Sequence, residues 1–537
     1  MTRSARHAVH IFVLSLGLLV FAHASSAQTA TQQSTIIEQA PAQRSSVLPA
    51  PKGFQQFVKD GKLQLSLADA IVLALENNTD IQVDESQIDT ARTAIESARS
   101  PFDPGVSGIF GTQRSTESSF SQAAVAPTLS GLTQQFQLGF SQTFETGTNV
   151  QTFLNATKFS SNVNFGFVNP SVFGTFSIQI TQPLLRGFGL VPNRGPIIVA
   201  QKNLAQSRAT FRQQVATVVL NVITQYWNVV QARENLDVTQ SLLAQAQQSY
   251  DHDKQALQKG ALPPLDIYRS ESQVAQRRVS EIQAEYAVKQ AEDTFRRVIA
   301  ADVDPNIRAL DVALTQKPEP SDALLSVDIA TELQKALAQR PEVEAQRFQL
   351  QSDDWNVKIA HNGLKPQLSL SATYSGSGLN TTTNGPFLEA LNQSFGFSQP
   401  SYGATLSLNL PLENYSAKAA FATAQINKRR DLYSGRQVRQ QITLDVANAV
   451  HQLEQSKLSM EAAKIALNLA QKNMQAEQRK YELGAETLFV VLETQSELAQ
   501  VEQSLIQAQV GYQLAVASVY FATGELLGNY NVKIAGS

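Results

Sequence analysis

Hydrophobic and polar residues alternate along this chain with two periods, and the change between them divides it into parts. Within 102–182, Phe136, Leu138 and Phe140 alternate with Gln137, Gly139 and Ser141, and Phe176, Ile178 and Ile180 alternate with Ser177, Gln179 and Thr181. A period of two predicts strands with one apolar and one polar face. It returns at Gln367–Tyr374 and Gly403–Leu410. From Arg194 to Gln258 the period lengthens: Phe211, Val215, Val218, Val222, Tyr226, Val229, Arg233 and Leu236 recur at steps of three and four. That is the stripe of a helix packed along its length, and about 64 residues at ~1.5 Å each predict a rod of roughly 95 Å. Such a helix needs neighbours throughout, because propensity alone leaves isolated helices marginal.

Shorter signals fill the rest. Leu65–Ser100 reads as two helices, with Ser66 and Asp69 as a capping box, a break at Asn77-Asn78 and a stop at Pro101. A return helix is expected to run from Pro263-Pro264 to about Ile299, followed by a linker at Asp302–Glu319. A second long helix is expected over about Ser416–Glu482, and a last one ending near Leu527.

The chain repeats itself. Lys259–Gln276 aligns with Leu483–Gln500, placing Gly260 on Gly484, Ala261 on Ala485 and Ser272 on Ser496, and Ile329–Val343 aligns with Leu67–Ile81. Each half reads helix, strand, strand, long helix, glycine tip, helix. Pro104 to Pro366 is 262 positions, whereas Pro183 to Pro411 is 228, so the first strand region carries 34 extra residues. Phe136–Phe159, with Gly147 at its turn, is the candidate for an added hairpin. The organisation expected is a leader at 28–60, a first repeat at 61–320 with strands in 102–182 and its tip near 260, and a second at 321–537 with strands in 366–411 and its tip near 484.

Composition narrows the setting. Residues 1–27 have the arginines, apolar run and small-residue cleavage sites of a secretory signal peptide. No later segment approaches the ~20 apolar residues of a membrane-spanning helix. Twelve of the 26 phenylalanines lie in 102–182 among Gly, Ser, Thr, Asn and Gln, a texture suited to strands between lipid and water, although a soluble sandwich shares the alternation. A net charge of −3 gives no field that selects nucleic acid. The absence of cysteine excludes disulfides and thiolate metal sites. Asp251-His252-Asp253 is read as a solvated helix face, no hydrolase or nucleotide motif is found, and the expectation is a non-enzyme without cofactor or metal.

About four lipid-facing strands per chain cannot close a barrel, and an open edge in a bilayer leaves backbone groups unpaired. Closure therefore calls for a cyclic assembly, with three copies favoured because twelve strands leave a lumen. From Leu65 to Leu527 the chain resembles the TolC-like outer membrane efflux proteins. The carrying stretches are LSLADAIVLALENN, QPLL at 182–185, KGALPPLDIYRSES and YELGAETLFVVLETQSELAQ. The resemblance implies a homotrimer in outer membrane lipid, a β-barrel continued by a long α-helical barrel through the periplasm. Its implied role is an exit duct for a tripartite efflux pump or type I secretion system, docked on a periplasmic adaptor and an inner-membrane transporter. It also implies an entrance at the second tip, where the family's tyrosine and glycine match Tyr481 and Gly484. The family's arginine falls on Glu486, and its two pore aspartates fall on Val490 and Glu493. The position accepting the arginine's link falls on Leu265, beside Asp266, so an arginine lock is missing. Adaptor docking is implied at Gly260, Ala261, Gly484 and Ala485. The rival readings are a secreted coiled-coil structural protein and a passive porin.

Overall fold

The computed structural model describes residues 51–118, 128–162, 168–259, 265, 267–320, 324–380, 387–396, 399–483 and 485–532. From Gly53 onward they belong to one unit. The signal peptide, most of the leader, Gly260, Ala261 and Gly484 lie outside the described residues.

In chain order the elements begin with β1 (Val58–Lys59), β2 (Lys62–Leu65), α1 (Leu67–Asn77) and α2 (Thr79–Arg99). The first strand region holds β3 (Gly105–Ser118), β4 (Thr128–Thr143), β5 (Asn149–Ser161) and β6 (Ser171–Pro183). Then come α3 (Leu190–Gln258), α4 (Ile267–Val298), the short α5 (Pro305–Arg308) and β7 (Asp311–Leu314). The second half has α6 (Ile329–Gln339), α7 (Pro341–Gly363), β8 (Gln367–Asn380), α8 (Phe387–Phe395), β9 (Pro400–Asn409), α9 (Tyr415–Glu482), α10 (Leu488–Thr523) and α11 (Leu526–Asn529).

Local chemistry sets the helix ends. The Ser66 hydroxyl accepts from the Asp69 amide at 3.2 Å while the Asp69 carboxylate accepts from the Ser66 amide at 3.0 Å, satisfying two otherwise orphaned donors of α1. Asn78 ends α1 and caps α2, its side-chain oxygen accepting from the amides of Asp80 at 2.9 Å and Ile81 at 3.3 Å. The same side chain donates to the Val298 carbonyl at 2.8 Å, so the break between two helices is also tied to the end of α4.

Three regions differ from the sequence expectation. The leader expected to reach residue 60 ends earlier, because Phe54 is buried and β1 pairs with β2. The linker expected at 302–319 contains α5 and β7, and β7 pairs in parallel with β2, Leu63 opposite Val312 and Leu65 opposite Leu314. These strands are too short to show a period, which is why pattern reading passes over them. The third difference is the number of long strands. The sheet has six, in the order β3-β4-β5-β6-β8-β9, all antiparallel neighbours, where about four were expected. The two repeats account for β3, β6, β8 and β9, and the 34-residue excess is the hairpin β4–β5 inserted between β3 and β6. Its turn contains Gly147 at φ +88°, and a Cβ there would come within 2.4 Å of the Gly187 carbonyl oxygen.

The helical part is two hairpins, α3 with α4 and α9 with α10, and α7 packs against both long helices. At ~1.5 Å per residue the 69-residue α3 and 68-residue α9 each run roughly 100 Å. Their densest packing is midway along. Val219, Val222, Ile223 and Tyr226 of α3 are buried with Leu63, Leu65, Ile71, Leu73, Phe295 and Val312. Ile442, Val446, Val450, Leu453 and Met460 of α9 are buried with Tyr512, Ala515, Val519 and Ala336. The Tyr226 hydroxyl accepts from the Gln316 amide at 3.3 Å, and the Tyr512 hydroxyl from the Leu325 amide at 2.8 Å, so one tyrosine in each core holds a connecting segment. Among the described residues no helix is long and apolar enough to cross a membrane.

Candidate functional site: a two-faced sheet and two hairpin tips

The six-stranded sheet gathers most of its apolar side chains on one face, with Phe153, Phe159 and Phe173 among the exceptions on the other. Register places Phe110, Phe136, Ala156, Gly174 and Gly378 in one row and Leu138, Leu154, Phe176 and Gly376 in another on the same face, with Ile109, Gln137, Asn155, Thr175 and Ser377 in a row facing the opposite way. The apolar face continues through Val106, Leu138, Phe140, Ile178, Ile180, Tyr374 and, on β9, Tyr402, Leu406 and Leu408. The other face carries Gln135, Gln151, Gln179, Thr373, Thr405 and Ser407. One strand face suits hydrocarbon and the other suits water. α8 lies on the apolar face: an added Cβ on Gly378 would sit 2.3 Å, and on Gly174 2.7 Å, from the Ala390 carbonyl oxygen. It buries Ala390, Leu391 and Ser394 against the sheet, stacks Phe395 on Phe176 at 4.9 Å between ring centroids, and leaves Glu389, Asn392 and Gln393 exposed.

At the far ends of the long helices are the tips. In the second, the Leu483 amide donates to the Arg479 carbonyl at 3.2 Å and the Ala485 amide to the Lys480 carbonyl at 2.9 Å, closing α9 within one turn. Glu486 accepts from the Thr487 amide at 2.9 Å, just before the start of α10. Val491 and Thr494 turn inward, Val490 is half-buried, and Glu493 is exposed. Glu486, Val490 and Glu493 therefore share one face of the entry to α10. Glu497, exposed and one turn beyond Glu493, extends that face. Sequence comparison alone missed Glu497, although its four-residue step from Glu493 was the available signal.

The structure corrects the first tip. Asp253 is not on a solvated face: it is buried and accepts a hydrogen bond from the Ser270 hydroxyl, which joins α3 to α4, while Asp251 and His252 are exposed. Periodicity could not show this, because the polar partner comes from the returning helix. Tyr481 is half-buried, and its hydroxyl is pushed above the usual phenol value first by burial and then by the negative charge of Asp253. The acidic group facing Tyr481 is thus Asp253, while Leu265 is 79% exposed. Arg277 of α4 reaches the second hairpin, where it donates to the Ser496 hydroxyl of α10.

Among the described residues no group of three His, Cys, Asp or Glu side chains could hold a metal. What the geometry offers is a sheet with one mainly apolar and one mainly polar face, joined to paired helical hairpins.

The comparisons place this architecture in a class. The family model described as "Outer membrane efflux protein" matches residues 70–301 and 333–525, covering both repeats. The chain belongs to the outer membrane efflux protein family. It is 23% identical over 358 residues to the outer membrane efflux protein BepC of Brucella suis, covering 66% of this chain and 72% of that protein. It is 24% identical over 364 residues to the outer membrane protein TolC of Escherichia coli, covering 65% of this chain and 69% of that one. In fold it resembles the CmeC outer membrane channel of Campylobacter jejuni, with TM-score 0.63, 14% identity and 91% of each chain covered. The chain is an outer-membrane efflux duct of the TolC-like class.

Proposed function

We propose that three copies of this chain form the exit duct of a tripartite efflux pump or type I secretion system, passing substrates without covalent chemistry through the periplasm and the outer membrane. The observation that carries this reading is the continuity, in one chain, of a two-faced sheet with two helical hairpins, each built on one helix of ~100 Å. The sheet supplies the membrane wall and the hairpins supply the periplasmic conduit. Exposed apolar residues at helical steps support side-by-side packing of copies: Val279, Ile282 and Tyr286 on α4, and Leu458, Ile465 and Leu469 on α9. In this reading the periplasmic entrance lies at the second tip, lined by Tyr481, Glu486, Val490 and Glu493. A periplasmic adaptor of an inner-membrane transporter docks on the glycine tips at Gly260, Ala261, Gly484 and Ala485.

Chemical crosslinking of outer-membrane fractions, followed by gels with and without heating, tests the assembly. The expected result is a heat-modifiable trimer in that fraction. A monomer recovered from the soluble fraction would overturn it.

A further inference from the structure

Nothing about a trimeric duct requires more than the strands that the two repeats supply, so the two added strands need their own account. We propose that β4 and β5 are part of the membrane wall and that the barrel closes with eighteen strands, six from each of three copies. The partner is a second copy of this chain, whose β3 edge pairs with the β9 edge of its neighbour. This rests on the trimeric reading above.

Four observations carry it. First, the hairpin is fully paired on both sides: β4 with β3 from Gly105↔Ser141 to Ser118↔Thr128, and β5 with β6 from Asn149↔Thr181 to Phe159↔Ser171. Second, its length matches its neighbours, with 16 and 13 residues beside the 14 of β3 and the 13 of β6, all beyond the ~9–11 residues that a tilted membrane strand needs. Third, Phe136, Leu138, Phe140, Val150, Leu154 and Ala156 of the hairpin share the apolar face that β6 and β9 present, while on its other face Ser, Thr, Gln and Asn outnumber Leu129, Phe153 and Phe159, and a hairpin in water on both sides has no cause to be biased this way. Fourth, the β4–β5 turn is fastened to the start of α3. The Gly189 amide donates to the Thr146 carbonyl at 3.1 Å, Arg194 pairs with Glu145 at 3.3 Å, and the Thr148 hydroxyl bonds Gln182. The hairpin cannot swing out of the wall without breaking that junction.

Closure follows from chain direction. β3 runs away from the helices and β9 runs back toward them, so β9 of one copy meets β3 of the next antiparallel, as every other neighbouring pair does. Both edge strands are exposed in the single chain. An unpaired edge in hydrocarbon costs several kcal/mol per backbone group, and a copy on each side removes that cost. Eighteen strands make a porin-sized wall with an aqueous interior. Its water face is lined mainly by Ser, Thr, Gln and Asn. The narrow point of the duct then lies in the helical part.

Single-particle cryo-electron microscopy of the full-length protein in lipid nanodiscs tests the count. The expected map has three-fold symmetry and eighteen continuous strands. Three-fold symmetry with twelve wall strands and β4–β5 outside the wall would overturn the inference and leave the duct intact. A ring of two copies would overturn both. A second readout uses single cysteines in this cysteine-free chain: Gln137→Cys should react roughly tenfold faster than Leu138→Cys with a water-soluble thiol reagent, because one faces the lumen and the other lipid. Equal rates would place the hairpin outside the wall.

Discussion

The two halves of the chain agree closely in their helices and disagree in their strands. α1 and α6 each have 11 residues, α2 and α7 have 21 and 23, and α3 and α9 have 69 and 68. The first half nevertheless contributes four long strands to the sheet and the second contributes two. The helices are held to a common length because each packs along another, so an inserted residue would shift every later contact. An antiparallel sheet accepts a hairpin between two strands with its turn at one end, and the pairs on either side keep their register. The sheet could gain strands while the helices kept their repeat.

The largest expected effect tests the anchoring of the long helices. Tyr226 is fully buried, lies edge-on to Trp227 and Phe295 at 5.5 and 6.1 Å between centroids, and holds the Gln316 amide. Tyr226→Ala should cost about 3–5 kcal/mol, the range for truncating a large aromatic side chain in a packed core. Urea unfolding of the detergent-solubilised protein reads this, and a loss below 1 kcal/mol would mean that the first-half core is not fixed at that point.

Next comes the division of the sheet. Leu138→Arg puts a guanidinium on the lipid face and should destabilise by about 2–4 kcal/mol, while Gln137→Arg, one residue away on the polar face, should be nearly neutral. Equal effects would mean that the faces are wrongly assigned.

A smaller effect separates the halves by charge. Asp353 of α7 is buried against Asp431 of α9, and burial followed by repulsion from Asp431 raises its carboxyl to about 6. Asp431 is held low, chiefly by the hydrogen bond from Arg430 at 2.8 Å. The 262-residue offset puts Ala91 at the corresponding place in the first half, where no such pair exists. Because Asp353 keeps its proton in the folded chain up to about pH 6 and loses it near pH 4 when unfolded, stability falls as pH rises through that window and stays reduced above it. Asp353→Asn should therefore raise stability by on the order of 1–2 kcal/mol at pH 8 and change it little at pH 4. Thermal unfolding at the two pH values checks this, and the opposite order would show the proton assignment to be wrong.

The smallest effect concerns selectivity. In the assembled duct, one Glu493 from each copy would concentrate negative charge at the entrance. Glu493→Ala should lower cation preference in bilayer recordings without changing assembly, and unchanged preference would remove Glu493 from the entrance.

Much of this was legible in the sequence. Period-two alternation located β4, β6, β8 and β9, the three-and-four stripe located α3, and the 34-residue offset pointed to the inserted hairpin with Gly147 at its turn. The Ser66–Asp69 cap and the Asn77-Asn78 break were readable because capping is local chemistry. What was not legible depends on contacts distant in sequence. β2 and β7 are four residues each, and their pairing spans the whole first repeat. Asp253 is buried and bonded to Ser270 from the returning helix, a contact that no local pattern announces.

The most direct test of the account compares the two tips in one recording. The chain has no cysteine, and the 224-residue offset places Arg269 of the first tip opposite Glu493 of the second; both are exposed. Glu493→Cys and Arg269→Cys trimers in planar bilayers should respond differently to a bulky water-soluble thiol reagent. Current through Glu493→Cys should fall sharply while current through Arg269→Cys stays unchanged. Block at Arg269→Cys with none at Glu493→Cys would contradict it.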